Sequence, residues 1–379
     1  MSKHKLALTS VRIRNYKSIH DTGTLQLGAF NLVVGNNGSG KSSLVEGLGA
    51  LDALTSGLAN LMKFGRGFGS FRHQPPEDKS KFRDVEWQIA GHDDFGGQVP
   101  SGRIRLSTRV GPTPGQEKVV QILSESLRRM NGEQWDRDAD GRWLRNGEST
   151  PFSTPQLSLA SMLGPYWRTW QFLVMNPAIM GDPRPASMGG EHLQLAPDGS
   201  NIAEYLFELQ KRDWTAFQGI VDALKFVLPY ADDLQVRMRS EADRSVWLEL
   251  KEGRRTIPGW MLSTGTLRTV ALLACLRNPT PPRLLVIEEL ENGLDPRTIG
   301  LIIEEIRNAT NSGRTQVIAT THSPYLLNLV PIESVILAQR EDGATVFRRP
   351  ASDPDVVRWA EKFAPGDLYT RDRLTGGRS

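Results

Sequence analysis

The chain has 379 residues, of which 39% are hydrophobic and 23% are charged. This balance excludes a disordered, collagen-like or coiled-coil-dominated protein, and the length predicts two domains or one large domain with an insertion. A formal charge of +3 is weak evidence for a nucleic-acid partner. Cys275 is the single cysteine, which excludes a disulfide framework, and no run of about 18 apolar residues occurs. We therefore expect a cytoplasmic protein with no membrane contact.

The first 115 residues predict one lobe. Residues 5–35 alternate apolar stretches with turns and predict three strands, the last of which ends at Gly35. An apolar stripe at helical spacing then predicts a core-facing helix; its residues are Leu44, Leu48, Leu51, Leu54 and Leu58. Residues 63–115 carry alternating segments that predict an antiparallel, β-rich subdomain.

Residues 116–260 predict an inserted helical and β lobe. We expect a helix at 117–130, two helices at about 201–228, and a hairpin formed by the segments DLQVRMRS and SVWLELKEG. Heptads are not sustained, so long coiled-coil arms are not expected.

Residues 261–350 predict a third segment, in which helices at 264–276 and 297–311 alternate with apolar strands. This alternation predicts a mostly parallel sheet that is covered on both faces. Residues 351–379 predict a helix and a loose tail.

A glycine-rich loop follows the third predicted strand. The segment GNNGSGKS, from Gly35 to Ser42, matches the pattern G-x-x-x-x-G-K-[ST], in which backbone N–H groups and a helix N-terminus surround phosphates. Lys41 would contact the β- and γ-phosphates, and the Ser42 hydroxyl would bind Mg²⁺. The alternative is a glycine turn that precedes a helix by chance. The residues expected at the nucleotide are Asn36, Asn37, Gly38, Ser39, Gly40, Lys41, Ser42 and Ser43.

Two carboxylates close the buried strand LLVIEE. Ligand groups gather at the carboxyl ends of parallel strands, so we expect Glu288 to hold Mg²⁺ and Glu289 to act as the general base toward water. The alternative is a surface acidic pair after a core strand.

Two further segments have features that suit an anion. LSTGTLR places Ser263 and Gly265 at a helix start, where hydroxyl and N–H groups can face a phosphate. THSP leaves His322 at the end of the next apolar strand, where an imidazole can reach a γ-phosphate. Taken alone, the first segment is equally well an ordinary helix cap, and an isolated histidine is more often structural.

The ordered set VRIRNYKSI, GNNGSGKS, LAPDGSNIAEYL, LSTGTLR, LLVIEELENGLDP and THSP resembles the ABC-type ATPase heads of the RecF/SMC/OLD-like class, and most of all its compact group without coiled-coil arms. The resemblance implies an α/β P-loop NTPase fold with an ABC-type head, in which a mostly parallel central sheet is joined by an antiparallel β lobe and a helical and β insertion. It also implies a homodimer that encloses two ATP molecules and Mg²⁺.

In that dimer, the resemblance implies that Lys41, Glu289 and His322 are catalytic, and that Ser263 and Gly265 touch the nucleotide bound by the other subunit. Asp295 matches the loop that crosses the interface. Glu288 stands where transporters have Asp. Gln74 is the candidate for the glutamine ligand of the metal, with an exposed loop amide as the alternative.

Two functions from different classes remain open. One is an ATP-driven clamp that acts on DNA in repair or in defence against foreign DNA. The other is a slow ATPase that senses a signal and restrains a separately encoded nuclease or toxin effector. In heads of this class the strand that carries Arg12, Arg14 and Lys17 lies near the nucleotide; the alternative is an ordinary solvated strand face. Further arginines gathered on one side of the dimer would favour the clamp, and scattered ones would mean little; they are Arg66, Arg72, Arg103, Arg105, Arg109, Arg237, Arg239, Arg254 and Arg255. A transporter subunit is disfavoured because the inserted lobe is large.

Overall fold

A computed structural model describes residues 6–73, 84–92, 102–113, 116–138, 142–149, 169–186, 193–239 and 244–375. The strands are β1 (Leu8–Tyr16), β2 (Ile19–Asp21), β3 (Leu25–Gln26), β4 (Phe30–Val34), β5 (Val85–His92), β6 (Arg103–Thr113), β7 (Gln116–Arg129), β8 (Gln134–Arg137), β9 (Trp143–Arg145), β10 (Glu148–Ser149), β11 (Trp170–Leu173), β12 (Arg184–Pro185), β13 (Asp233–Met238), β14 (Ser245–Glu252), β15 (Arg255–Pro258), β16 (Leu284–Ile287), β17 (Gln316–Thr321), β18 (Val335–Glu341) and β19 (Ala344–Arg348).

The helices are α1 (Lys41–Thr55), α2 (Leu58–Phe64), α3 (Phe68–Phe71), α4 (Pro177–Met180), α5 (Ile202–Arg212), α6 (Trp214–Val227), α7 (Thr264–Leu276), α8 (Pro296–Asn311), α9 (Pro324–Leu327), α10 (Pro354–Ala360) and α11 (Pro365–Thr370). Short 3-10 segments occur at Gly259–Met261, Ile332–Ser334 and Pro350–Ser352. Within the part of the chain that the structure describes, no helix has the length and apolar character needed to cross a membrane.

The chain divides into two compact units. Unit 1 comprises Met1–Trp170, Ile332–Trp359 and Arg373–Ser379. Unit 2 comprises Gln171–Pro331 and Ala360–Asp372. Each unit thus combines segments that are far apart in the sequence.

Unit 1 contains a large antiparallel sheet in the order β10-β9-β8-β7-β6-β5-β1-β2, with β3 also paired to β1. Along β5 burial alternates residue by residue, because successive side chains point to opposite faces of the sheet. On the inner face the indole N–H of Trp87 donates to the Gly47 carbonyl of α1 at 2.8 Å. The predicted antiparallel β subdomain is therefore present and packs on α1.

The helix predicted at 117–130 is wrong, because residues Gln116–Arg129 form β7 and pair antiparallel with β6. Near its end, Glu125 and Leu127 are buried at alternate positions. The Glu125 carboxylate accepts a hydrogen bond from the Thr108 hydroxyl at 2.7 Å, which satisfies a buried charge. Pairing with β6 thus outweighs the helix propensity of the segment.

Unit 1 also contains β4, which pairs in parallel with β18, and β18 pairs antiparallel with β19. Strand β4 leads directly into the glycine-rich loop and α1. In α1 the predicted stripe is buried at Leu44, Leu48, Leu51 and Leu54, and the helix ends before Leu58.

Unit 2 contains the parallel pair β16 and β17, with β11 next to β16. Helix α7 precedes β16, and α8 connects β16 to β17. Every residue of β16 and β17 is buried. This burial is typical of parallel strands covered on both faces, as the sequence predicted.

A smaller antiparallel sheet of unit 2 has the order β12-β14-β13, with β15 also paired to β14. Its β13–β14 pair is the predicted hairpin, and α5 and α6 are the two predicted helices. Beyond residue 351 the chain forms two helices, α10 and α11, where the sequence predicted one. Prolines at the first turn of each helix explain the interruption between them.

Candidate functional site

The loop between β4 and α1 has a backbone that only glycine adopts easily. Gly38 and Gly40 have φ values of 76° and 100°. A Cβ on Gly40 would lie 2.2 Å from the Thr345 hydroxyl and 2.9 Å from the Ser18 hydroxyl. Asn36 and Asn37 are exposed at the tip of the loop. The loop is therefore held tightly at its base and open at its tip.

The lysine of the loop is held against its backbone. The Lys41 ammonium donates to the carbonyl oxygens of Gly35 at 2.7 Å and Asn36 at 3.1 Å. Ser42, the next residue, is exposed. The Ser39 hydroxyl oxygen is buried and has no hydrogen-bond partner among the described residues. A positive charge, an orphan hydroxyl and the free N–H groups of a helix start fit a bound phosphate group.

The start of α1 is tied to the turn between β1 and β2. The Ser43 hydroxyl lies 3.0 Å from the Ser18 hydroxyl, which also accepts from the Thr345 hydroxyl at 2.8 Å. Thr345 belongs to none of the sequence motifs. Its contact arises only when β19 reaches the loop.

In unit 2 the paired carboxylates stand at the end of β16. The Glu288 N–H donates to the Leu173 carbonyl at 2.9 Å, so the ladder between β11 and β16 extends to this residue. The side chain of Glu288 is half-buried and that of Glu289 is exposed. Glu289 has a φ of 47°, in the left-handed region that non-glycine residues seldom adopt. Because of this left-handed turn, the neighbouring side chains of Glu288 and Glu289 have different environments, one half-buried and one exposed.

Two groups hold the backbone of Glu289 in this conformation. Its N–H donates to the Thr320 hydroxyl at 2.9 Å, and its carbonyl accepts from the Arg268 guanidinium at 2.7 Å. Arg268 is 3% exposed, and burial lowers the pKa of its guanidinium, which nearby Glu289 and Glu291 partly offset. The guanidinium remains charged in proteins, so its hydrogen bonds are strong.

His322 stands at the end of β17, next to the carboxylate of Glu291 in the loop that follows β16. The Glu291 carboxylate accepts from the His322 backbone N–H at 2.9 Å, and the imidazole Nδ1 lies 3.4 Å from the same oxygen. The side chain of His322 is 51% exposed, so its ring is accessible to a ligand. Glu291 lies within LLVIEELENGLDP, but the sequence did not predict its contact with His322.

The segment LSTGTLR opens α7, with Ser263 and Thr264 exposed at the helix start. Ser263 caps the helix by accepting from the Thr266 N–H at 3.1 Å. A Cβ on Gly265 would lie 2.4 Å from the Gly293 carbonyl, so this glycine allows close contact between the helix start and the turn before Asp295. Asp295 caps α8, and a hydrogen bond from the Thr298 hydroxyl lowers its pKa.

The predicted residues fall into two groups. The loop residues from Asn36 to Ser43 lie in unit 1, whereas unit 2 brings together Ser263, Gly265, Glu288, Glu289, Asp295 and His322 on the loops around α7, β16 and β17. Gln74 lies outside the described residues.

Mg²⁺ commonly binds one or two protein oxygens together with substrate phosphates. The described residues contain no group of three His, Cys, Asp or Glu side chains that could hold a metal alone. Ser42 of unit 1 and Glu288 of unit 2 each offer an oxygen donor of the kind that Mg²⁺ accepts beside phosphates, and the ion would supply charge neutralisation at those phosphates.

Two family models match the chain. One, described as "AAA domain", matches residues 10–150. The other, described as "AAA domain, putative AbiEii toxin, Type IV TA system", matches residues 180–328. No curated protein matches the chain. The two matched ranges contain the glycine-rich loop and the acidic strand, respectively.

Solved structures of SMC heads resemble the chain over most of its length. A SmcHead bound to the C-winged helix domain of ScpA has a TM-score of 0.59 at 14% identity, covering 90% of this chain and 97% of that one. The Smc head of Pyrococcus furiosus with an extended coiled coil, bound to the C-terminal domain of ScpA, has a TM-score of 0.54 at 13% identity, covering 94% and 99%.

The Smc head of Pyrococcus yayanosii, with a coiled coil and joint, has a TM-score of 0.51 at 10% identity and covers 90% of this chain and 96% of that one. At these identities the likeness concerns the fold, and it confirms the predicted P-loop NTPase class. Together with the two AAA-domain family models, it shows that the chain has the fold of an ABC-type, SMC-like ATPase head.

Proposed function

We propose that the protein hydrolyses ATP with Mg²⁺ as a homodimer that encloses two nucleotides. Lys41 and the loop around it bind the phosphates, Ser42 and Glu288 hold the metal, and Glu289 accepts a proton from the attacking water. Ser263 and Gly265 contact the γ-phosphate bound by the other subunit, where Asp295 crosses the interface and His322 responds to the phosphate.

The main support for this proposal is that α7 is buried along its length but exposed at its start. From Thr266 to Leu276 every residue of this helix is buried, whereas Ser263 and Thr264 are exposed. A helix N-terminus carries unsatisfied N–H groups and a partial positive charge, which favour an anion. The exposed end of this otherwise buried helix is thus its N-terminus, which is the end that favours a phosphate. A second subunit can place a phosphate there.

We propose duplex DNA as the partner of the closed dimer, in repair or in defence against foreign DNA. ATP contacts that form only in the closed state would shift the dimer equilibrium, and hydrolysis would release it. A second candidate is restraint of a separately encoded nuclease or toxin effector. The description of the family model matching residues 180–328, which names a toxin system, favours this alternative.

The test uses Glu289→Gln, which keeps the binding groups but removes the base. With saturating ATP and Mg²⁺ this variant should elute as a dimer of twice 42.1 kDa, as measured by light scattering, and should hydrolyse ATP far more slowly than the wild type. A matched control, Lys41→Ala combined with Glu289→Gln, should remain monomeric because the phosphates are no longer bound. A strictly monomeric Glu289→Gln protein would contradict the proposed dimer.

ATP turnover measured with and without DNA distinguishes the DNA-acting role from restraint of an effector. Duplex DNA that accelerates ATP turnover at low salt and loses this effect at higher salt would support the DNA partner. Effector restraint would be supported if no DNA changes the rate of ATP turnover and a neighbouring gene product co-purifies with the protein.

A further inference from the structure

We propose that a groove on the large sheet of unit 1 binds the phosphate backbone of duplex DNA. The inference deepens the DNA-binding part of the proposed function. The groove has a volume of about 530 Å³ and is lined by the arginines of β6 and β7 together with small residues of β5. Its lining includes Arg103, Arg105, Arg128, Ala90 and Gly91.

Two of these arginines face each other directly. Arg105 of β6 is in register with Arg128 of β7, so both side chains point to the same face of the sheet. Both are exposed, and neither forms an ion pair with any described residue. Like charges directly opposite one another destabilise an antiparallel pair. An anion bound between them would remove that repulsion.

Two arginines of β1, in the same sheet, are paired with carboxylates. Arg12 pairs with Asp21 at 2.6 Å, and Arg14 pairs with Asp21 at 3.0 Å and with Glu86 at 3.2 Å. The groove lacks such partners for Arg105 and Arg128 among the described residues. Arg105 and Arg128 therefore carry positive charge that no carboxylate among the described residues compensates.

The shape of the groove suits an extended ligand. Arg105 is in register with Ala90 on its other side, and the small side chain leaves the guanidinium accessible. Arg103 lies two residues along the same strand, roughly 7 Å away. Arg128 lies across the strand pair at about 5 Å between Cβ atoms. The three arginines together span more than the size of a single phosphate, and their spacing fits the repeated phosphates of a nucleic-acid backbone.

The lining favours duplex over single-stranded nucleic acid. Among the described residues that line the groove, none is aromatic. Proteins that bind single strands stack bases on aromatic side chains, and this groove offers no such platform. Arginine contacts to phosphates position a duplex without reading its sequence. The groove would therefore bind duplex DNA with little sequence preference.

The test measures binding of a fluorescein-labelled 30-base-pair duplex to the full chain by anisotropy at several salt concentrations. The variant is Arg105→Gln combined with Arg128→Gln. The control is Lys225→Gln combined with Arg314→Gln, which removes the same charge from two exposed side chains of unit 2. ATP turnover without DNA is measured in all proteins.

Each phosphate contact contributes about 0.9 to the slope of log affinity against log salt. The groove variant should therefore bind about 30-fold more weakly near 0.15 M salt, with a slope about 2 smaller, and the control should bind like the wild type. Wild-type duplex binding that equals that of the groove variant, or a wild type that binds no duplex, would overturn the groove. Tighter binding of a single strand than of the duplex would also overturn it.

ATP turnover without DNA distinguishes this failure from failure of the proposed activity. Turnover should be unchanged in the groove variant. Loss of turnover in the wild type would contradict the ATPase, whatever the binding result. A thermal melt provides a second measurement in the absence of DNA: Arg128→Gln should raise the melting temperature because it removes a like-charge pair. An unchanged or lower melting temperature would contradict the inference that Arg105 and Arg128 repel each other without a carboxylate partner.

Discussion

The guanidinium of Arg268 donates a hydrogen bond of 2.7 Å to the backbone carbonyl of Glu289. Arg268 belongs to the second turn of α7, and Glu289 carries the proposed base at the end of β16. A second bond of 3.5 Å reaches the Met175 carbonyl. Helix α7, whose start faces the proposed partner subunit, is therefore linked through one side chain to the backbone that positions the carboxylate.

Replacing Arg268 with Lys should reduce ATP turnover. A lysine ammonium is a point charge and cannot reproduce the planar fork that spans two carbonyl groups. Misplacement of Glu289 should lower kcat roughly 10- to 100-fold while the Kd for ATP is unchanged. Steady-state kinetics and fluorescent-nucleotide titration measure the two quantities.

Arg277→Lys is the matched control, because Arg277 at the other end of α7 pairs with Glu305 and contacts no predicted site residue. Its kcat should remain near the wild-type value. Equal kcat values for Arg268→Lys and the wild type would refute the positioning role.

Gly265→Ala tests the contact between α7 and the turn before Asp295. The added Cβ would lie 2.4 Å from the Gly293 carbonyl, so the helix start must move away. We expect turnover to fall roughly 10-fold or more, with normal ATP binding. Gly300→Ala in α8 meets no atom within 4 Å and serves as the control. If both variants turn over ATP at the same rate, the contact has no catalytic role.

Lys41→Ala should abolish ATP binding. The Lys41 ammonium, 8% exposed, donates to two carbonyl groups of the loop and would contact the phosphates. Isothermal titration with ATP and Mg²⁺ measures the loss. Lys63→Ala removes the same charge from the exposed surface of α2 and should bind normally. Retention of wild-type affinity in Lys41→Ala would remove the assignment of the phosphate loop.

Asp52 makes the stability of the protein depend on pH. Burial raises its pKa to about 7 in the folded state. Because the pKa of Asp52 is higher in the folded than in the unfolded chain, its protonated carboxyl stabilises the folded state. This stabilisation is complete below about pH 4 and is lost as the pH rises through 7. Asp52→Asn should therefore increase the free energy of unfolding at pH 8 by roughly 1–3 kcal/mol more than at pH 5.

Urea denaturation of the wild type and the variant at both pH values measures this difference. The exposed Asp222 of α6 provides a control, and Asp222→Asn should show no such pH dependence. A gain that is equal at pH 5 and pH 8 would show that the aspartate carries no buried charge.

Much of the site was predictable because its chemistry is local. The glycines of GNNGSGKS, the two carboxylates that close LLVIEE and the cap at Ser263 each lie within a few consecutive residues, and their backbone needs are visible in the sequence. The structure places each of them at the expected strand end or helix start. By contrast, Thr345 contacts Ser18 from a distant strand and belongs to no motif. Glu291 lies within LLVIEELENGLDP, but its contact with His322 depends on the pairing of β16 with β17.

Sequence alone determined which short segments can form the phosphate loop, the acidic strand end and the capped helix, since these depend on residue type and spacing of neighbours along the chain. Tertiary structure decided that residues 116–129 form a strand, that Arg268 holds Glu289, and that Arg105 faces Arg128. Those three outcomes depend on register and packing between distant segments, and the energies of such contacts exceed local propensities.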